Sequence, residues 1–144
     1  MTHPATPREI VRQLLDGVTG LAAGDQSQVD RLAALYAEQT RVSHPFAPLG
    51  DSPLRTREQV RRHFGGTPID TLRGFHVEDL HLHDTADPEV VVAEFAYAGE
   101  DFRYRCVFVV RVRDGQIVES RDYVDHLRSA RARGRLADLI ARLD

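Results

Sequence analysis

A chain of 144 residues is long enough for one domain with a substantial hydrophobic core, so we predict a single domain over residues 1–144. Its 42% hydrophobic and 28% charged residues are ordinary for a globular protein and exclude a disordered chain. The net charge of -3 argues against nucleic acid as a partner, because phosphate binding needs a basic protein face.

Residue usage indicates the type of source genome and the cellular compartment of the protein. All the basic residues are arginine, and lysine, asparagine and tryptophan are absent, a bias typical of a GC-rich bacterial genome. The single cysteine, Cys106, excludes an internal disulfide, and its position in the middle of a predicted strand favours a buried apolar role over a nucleophilic one. Because the chain shows no N-terminal signal run and no apolar stretch near ~20 residues, we expect a cytoplasmic protein without a membrane partner.

The first half of the chain is predicted to be mainly helical. Thr6 is a candidate cap, Pro7 takes the first helical position and Glu9 follows three residues after the cap, which is the pattern of a capping box. Helical spacing of apolar residues and the positions of glycine and proline set the other boundaries. The predicted elements are helices at 6–24, 29–36 and 56–64, a short strand at 39–46 and a loop at 45–53.

The second half changes to the two-residue period of strands. The predicted elements are strands at 74–84, 90–98, 102–113 and 116–126, followed by a last helix that is interrupted near Gly134. Asp114-Gly115 between two alternating runs is the strongest short-range signal for a hairpin, so the last two strands should pair antiparallel. Helices followed by strands predict an α+β domain with the helices on one face of an antiparallel sheet.

Alternation along the hairpin predicts which side chains share a face. The predicted core side contains Tyr104, Cys106, Phe108, Val110 and Val112 from the first strand and Val118, Ser120, Asp122, Val124 and His126 from the second. The predicted outer face contains Val91, Ala93, Phe95, Tyr97, Val107, Val109, Ile117 and Tyr123 among arginines. This outer face is too apolar for bare solvent, so we predict a homodimer that buries it.

Asp122 is unusual because it places a carboxylate on the predicted core side, where burial costs free energy unless the group is paired. One interpretation is that the side chain turns outward or pairs with Arg121 or Arg105 as a structural ion pair. The other is a catalytic acid or base in a pocket. Spacing along the strand does not choose between them.

Several segments together resemble a known family. They are the run from Leu35 to Glu38 leading into Val-Ser-His-Pro-Phe at 42–46, the helix start at 56–60, and Asp114-Gly115 followed by Arg-Asp-Tyr-Val-Asp at 121–125. The chain is similar to the SnoaL-like branch of the nuclear transport factor 2-like superfamily over nearly its whole length. The resemblance implies a cone in which a curved sheet wraps around the N-terminal helices.

The resemblance also implies candidate catalytic residues. Asp122 stands where SnoaL-like polyketide cyclases and limonene epoxide hydrolases have an acid/base aspartate, and His44 takes the place of the general base of ketosteroid isomerases. Glu94 falls near the second aspartate of the epoxide hydrolases. The oxyanion donors of the isomerases and the arginine of the epoxide hydrolases have no counterpart, since those positions count to Gly17, Phe108 and Val92. Predicted substrate-binding residues are Tyr36, Phe46, Phe64, Tyr104, Phe108, Val110, Val118 and His126.

These residues predict an acid/base enzyme acting on a hydrophobic small molecule, of the polyketide cyclase, isomerase or epoxide hydrolase type, with a place in secondary metabolism. A carboxylate among apolar side chains should have a raised pKa, and a nearby histidine could exchange a proton with it. Such reactions need no cofactor. The alternative is a non-catalytic module of the same fold that binds a ligand or only dimerises.

Each candidate also has a structural interpretation. His44 could bond a loop carbonyl, and Glu94 could pair with an arginine of the next strand. His81 and His83 lie two apart on one strand face, but metal sites need three or four converging ligands, so we predict no metal. A local basic run near the C-terminus, Arg128, Arg131, Arg133 and Arg135, is interpreted as a solvated helix face.

Overall fold

The computed structural model describes residues 3–66 and 74–143 and contains, within those residues, five helices and six strands. In chain order these are α1 (Pro7–Ala22), α2 (Gln28–Ala34), β1 (Gln39–Ser43), β2 (Leu54–Thr56), α3 (Arg57–Gly65), β3 (His76–Asp84), β4 (Val90–Ala98), β5 (Arg103–Arg113), β6 (Gln116–Val124), α4 (His126–Ala132) and α5 (Leu136–Ala141). The predicted elements are confirmed to within a few residues at their ends. Strand β2, just beyond the predicted loop, was not predicted. No helix in this part of the chain is long and apolar enough to cross a membrane.

Helix α1 begins with the capping box that the sequence predicts. The Glu9 backbone N–H donates to the Thr6 hydroxyl, and the Thr6 N–H donates to the Glu9 carboxylate, so two otherwise unpaired amide groups are satisfied. One stripe of this helix is buried and includes Ile10, Val11, Leu14, Leu15 and Leu21. It packs against the sheet and α2, and so forms one wall of the core.

The strands form one six-stranded sheet in the order β2-β1-β6-β5-β4-β3. All neighbours are antiparallel except β1 and β6, which are parallel, so the sheet is mixed. The hairpin between β5 and β6 closes through Asp114 and Gly115, whose positive φ values of 53° and 76° fit a two-residue turn of the type that Asp-Gly favours. The α+β cone fold is confirmed.

The two faces of β4 are the reverse of the prediction. Val91, Ala93, Phe95 and Tyr97 are buried in the core rather than on the outer face. The reason is the register with β5, in which Ala93 lies opposite Phe108 and Phe95 opposite Cys106; directly opposed residues of an antiparallel pair share a face. Of the predicted outer residues, Val107, Val109 and Tyr123 are half-buried on that face.

A β-bulge near the start of β6 changes which side chains face the core there. Arg111 pairs with Glu119, but Val112 pairs with Ile117, so Val118 is the extra residue on its strand. Ile117 is therefore fully buried in the core, whereas Val118 is only half-buried, which reverses the predicted sides of these two residues. Beyond the bulge the prediction holds, and Ser120 and Asp122 are buried.

Candidate active site

A cavity of about 270 Å³ lies between the inner face of the sheet and the helices. Side chains from every helix except α2 and α5 and from every strand except β3 reach its wall. Most of the wall is apolar or aromatic, including Leu14, Val18, Leu21, Val42, Val60, Phe64, Phe75 and Phe108. The polar wall residues are Tyr36, His44, His63, Tyr97, Tyr104, Asp122, His126, Ser129 and Arg133.

Asp122 projects from β6 into this cavity, and its side chain is only 12% exposed. The Ser120 hydroxyl donates to its Oδ1 at 2.5 Å, which fixes the carboxyl group and leaves Oδ2 toward His44. Burial raises the pKa of Asp122 to about 7, and the bond from Ser120 opposes part of that rise. The group is therefore present in both its acid and its carboxylate form near neutral pH.

His44 reaches the same cavity because β1 and β6 run parallel. Val42 lies beside Ser120 and Ser43 beside Arg121, so the next residue, His44, comes beside Asp122. Its Nε2 lies 3.9 Å from Oδ2 of Asp122, and its backbone N–H donates to the Asp51 carboxylate at 3.0 Å. Two groups that can exchange protons thus face one end of the cavity.

Two further histidines surround this pair. The ring of His126 lies edge-on to that of His44 with centroids 6.4 Å apart, and His63 lines the cavity from α3. Desolvation lowers the pKa of all three imidazoles, and the neighbouring histidines lower that of His44 further, against an opposing effect of Asp51. Within the described residues, Nε2 of His126 is buried without a hydrogen-bond partner. All three rings therefore favour the neutral form at pH 7.

Two buried tyrosines also line the cavity. Burial raises the pKa of the Tyr36 and Tyr97 phenols, and the charge of Asp122 contributes to the rise in both. Their hydroxyl groups therefore stay protonated and can donate hydrogen bonds. Cys106 is also buried in the core, and desolvation raises its thiol pKa to about 12, in agreement with the predicted apolar role.

Most of the predicted substrate-binding residues line the cavity. They are Tyr36, Phe64, Tyr104, Phe108 and His126. Val110 does not, because it is fully buried in the core, and Val118 does not, because the bulge turns it away. Phe46 lies outside as well: it is 68% exposed and packs edge-on against Tyr123 at 5.0 Å, on the outer side of the sheet.

Glu94 is not part of the site, contrary to prediction. The side chains of β4 that face the core are those of residues 91, 93, 95 and 97, so Glu94 points to the outer face. There its carboxylate pairs with His83 at 2.7 Å. On the same face His81 bonds the Asp79 carboxylate. Across residues 3–66 and 74–143, no group of three or more His, Cys, Asp or Glu side chains is arranged to hold a metal ion.

The sequence interpretation missed His63 and Arg133. His63 follows Val60 by three residues, so it shares the helix face that Val60 buries, and this spacing is a usable signal. Arg133 follows His126 and Ser129 by seven and four residues, which places all three on one side of the α4 turn. Charge patterning alone assigns Arg133 to a solvated basic run, because it does not identify which side of the helix faces the cavity.

Comparison with known proteins identifies the family of this chain. A family model for the SnoaL-like domain matches residues 11–120, which is most of the chain. The chain belongs to the SnoaL-like family. The resemblance to the SnoaL-like branch of the nuclear transport factor 2-like superfamily is thus confirmed.

Individual relatives of this SnoaL-like chain are distant. An uncharacterised PhzA/B-like protein of Pseudomonas aeruginosa is 29% identical over 107 residues, covering 69% of this chain and 74% of that protein. A solved structure from Bacillus subtilis, provisionally named an isomerase, has a TM-score of 0.69 at 22% identity, covering 89% of this chain and 92% of that one. A provisionally named polyketide cyclase from Pseudomonas putida has a TM-score of 0.65 at 14% identity, covering 89% and 98%. At these identities the solved structures show the fold alone.

Proposed function

We propose that this SnoaL-like protein is a cofactor-independent enzyme that moves a proton on a hydrophobic small molecule, as isomerases and polyketide cyclases do. The observation that supports this most is Asp122, a buried carboxyl group with its pKa at about 7, facing both an apolar cavity and His44. A general acid/base works best when its pKa lies near the working pH.

The proposed reaction starts at a carbon next to a carbonyl group. The Asp122 carboxylate takes a proton from that carbon, which leaves the electron pair as an enolate and converts Asp122 to its acid form. The enolate then attacks a second carbonyl of the same molecule and takes up the proton, which closes a ring, or it is protonated at another carbon, which moves a double bond. His44 lies close enough to accept or return the proton within the same cycle.

The enolate oxygen needs hydrogen-bond donors in this scheme. Tyr36 and Tyr97 line the cavity, and both phenols remain protonated because burial raises their pKa. The oxyanion donors of the ketosteroid isomerases have no counterpart at the equivalent positions of this sequence. In this proposal the two tyrosines supply such donors from other positions. Their role as enolate ligands is part of the proposal.

The arrangement supports isomerase or cyclase chemistry better than epoxide opening. Asp122 is the one carboxylate among the described residues that line the cavity, and the predicted second carboxylate, Glu94, lies on the opposite face of the sheet. The resemblance to the epoxide hydrolases implies that water addition to an epoxide uses carboxylates at both of these positions, 94 and 122. Proton transfer through a single carboxyl group needs only Asp122 and a partner such as His44.

The test is proton exchange on a simple ketone, because enolate formation is common to ring closure and double-bond migration. In deuterated buffer at pH 7.5, NMR follows the loss of the α-protons of 2-tetralone with and without protein. We expect the protein to accelerate exchange, and Asp122→Asn to remove about 10²- to 10⁴-fold of that acceleration. His44→Gln should give a smaller loss.

Glu119→Gln is the matched control, since Glu119 is an acidic residue of the same strand that pairs with Arg121 outside the cavity. It should leave the exchange rate unchanged. If Asp122→Asn exchanges as fast as the wild type, or if the protein accelerates exchange on neither 2-tetralone nor 2-indanone, the proposed function is wrong. Ligand binding without exchange would favour the non-catalytic module.

A further inference from the structure

Among the residues that the structure describes, the half-buried arginines have carboxylate partners, with one exception. Arg57 lies 3.9 Å from Glu38, Arg111 contacts Asp87 and Glu89, and Arg121 contacts Glu119. Arg133 is also half-buried, yet no carboxylate in the described part of the chain lies within ion-pair distance of it. The other arginines without such a partner there are exposed to solvent. Of the arginines at 3–66 and 74–143, Arg133 is thus the one that is half-buried and has no carboxylate within ion-pair distance.

Arg133 stands at the mouth of the cavity. It caps the C-terminal end of α4, and its side chain lines both the inner cavity and an outer groove formed with residues 47–50 and α5. Ser129 and His126 line the same two spaces. A ligand that enters the cavity from this groove therefore passes the guanidinium group.

The charges around the cavity favour an anion at this end. The Arg133 guanidinium lies near enough to His63 that its charge helps to lower the pKa of that imidazole. Among the described residues, the single carboxyl group that lines the inner cavity is Asp122, which is largely uncharged below pH 7. The one that lines the outer groove, Asp138, lies 4.0 Å from Arg142, and the groove also contains Arg135. A guanidinium group in a partly desolvated site binds a carboxylate through strong, charge-assisted hydrogen bonds.

We propose that Arg133 is a substrate-binding residue that selects an aromatic or alicyclic carboxylic acid, holding the carboxylate at the cavity mouth while the apolar ring system lies against Asp122. Ser129 lines the same two spaces, and in this proposal its hydroxyl donates a second hydrogen bond to the carboxylate. The cavity of about 270 Å³ is slightly smaller than the usual range for ligand pockets, about 300–1,000 Å³, so the acid is compact. This inference rests on the proposed function, because it names the substrate class of the same site.

The test compares two probes that differ only in charge, 2-naphthoate and 2-naphthamide, by isothermal titration calorimetry at pH 6.0, where Asp122 is largely uncharged, and at low salt. The wild type should bind the acid at least about 10-fold tighter than the amide. Arg133→Gln should weaken naphthoate binding by about 10- to 100-fold, the range expected for one charge-assisted contact, and change naphthamide binding by less than about threefold.

Arg131→Gln is the matched control, because Arg131 lies on the same helix, is exposed and does not line the cavity. It should keep the preference for the acid. The inference is wrong if Arg133→Gln keeps that preference, if Arg131→Gln loses it equally, or if the wild type shows no preference or binds neither probe.

The two proposals can fail separately. If Asp122→Asn abolishes ketone exchange but Arg133→Gln still prefers naphthoate, the acid/base function stands and the assignment of Arg133 fails. If the wild type does not accelerate exchange but Arg133→Gln loses the preference for naphthoate, the anion site stands in a binding protein without that activity.

Discussion

Replacing Asp122 by asparagine should stabilise the protein at high pH, although it should remove the proposed proton-transfer activity. Burial raises the pKa of Asp122 from 3.8 to about 7, and each pKa unit corresponds to about 1.36 kcal/mol, so ionising this group in the folded state costs about 4 kcal/mol. The folded protein holds the proton more tightly than the unfolded chain. The stability associated with the protonated group is therefore fully present below pH 4 and is lost as the pH rises through 7.

Urea unfolding of the wild type and Asp122→Asn between pH 4.5 and 8.5 measures this effect. The variant should gain stability relative to the wild type as the pH rises, by about 3 kcal/mol across the series, because the first part of the effect lies below pH 4.5. Only the difference between the two proteins is informative, because the lowered pKa values of His44, His63 and His126 act in the opposite direction: their contribution is present above pH 6.5 and is lost as the pH falls.

The control for this series is Asp16→Asn, since Asp16 is exposed on α1. It should show no comparable gain at high pH. A constant stability difference between Asp122→Asn and the wild type from pH 4.5 to 8.5 would refute the reasoning, because it would mean that the carboxyl group does not titrate differently in the folded and unfolded states.

Three further predictions test other parts of the structure. Ser120→Ala should move the midpoint of the pH–rate profile for ketone exchange upward, because it removes the hydrogen bond that lowers the Asp122 pKa; an unchanged or lower midpoint would contradict the geometry. Cys106 is 2% exposed, so Ellman's reagent should modify it only as fast as the protein unfolds, and immediate modification of the native protein would place it elsewhere. Sedimentation equilibrium should give twice the 16.2 kDa of one chain, and Val109→Glu on the outer sheet face should give a monomer, whereas a monomeric wild type would remove the dimer prediction.

Local signals in the sequence were enough for most of the elements. The capping box at Thr6 and Glu9 fixed the start of α1, and Asp114-Gly115 fixed the β5–β6 hairpin, because each signal acts within a few residues of the chain. The family resemblance pointed to Asp122 and His44, which the structure brings to within 3.9 Å of each other. Their assignment to catalysis remains a prediction.

The errors concern which way strands face and which distant segments meet. Glu94 and the core residues of β4 were assigned to the wrong sides because the phase of β4 depends on its register with β5 across a turn. The predicted faces of Ile117 and Val118 are reversed because a bulge inserts one extra residue into β6, and no residue type in that segment indicates a bulge.

The sequence by itself determined the order of the helices and strands and the α+β class, and it singled out Asp122 without deciding whether its side chain faces inward, because these results follow from local propensity, from period and from the residues of a recognisable motif. Only the tertiary structure decided what surrounds that acid. The parallel pairing of β1 with β6 brings His44 beside Asp122, and the return of α4 across the cavity brings in His126 and Arg133. The burial that sets the pKa of Asp122 comes from all of these elements together, so no single segment of the chain encodes it.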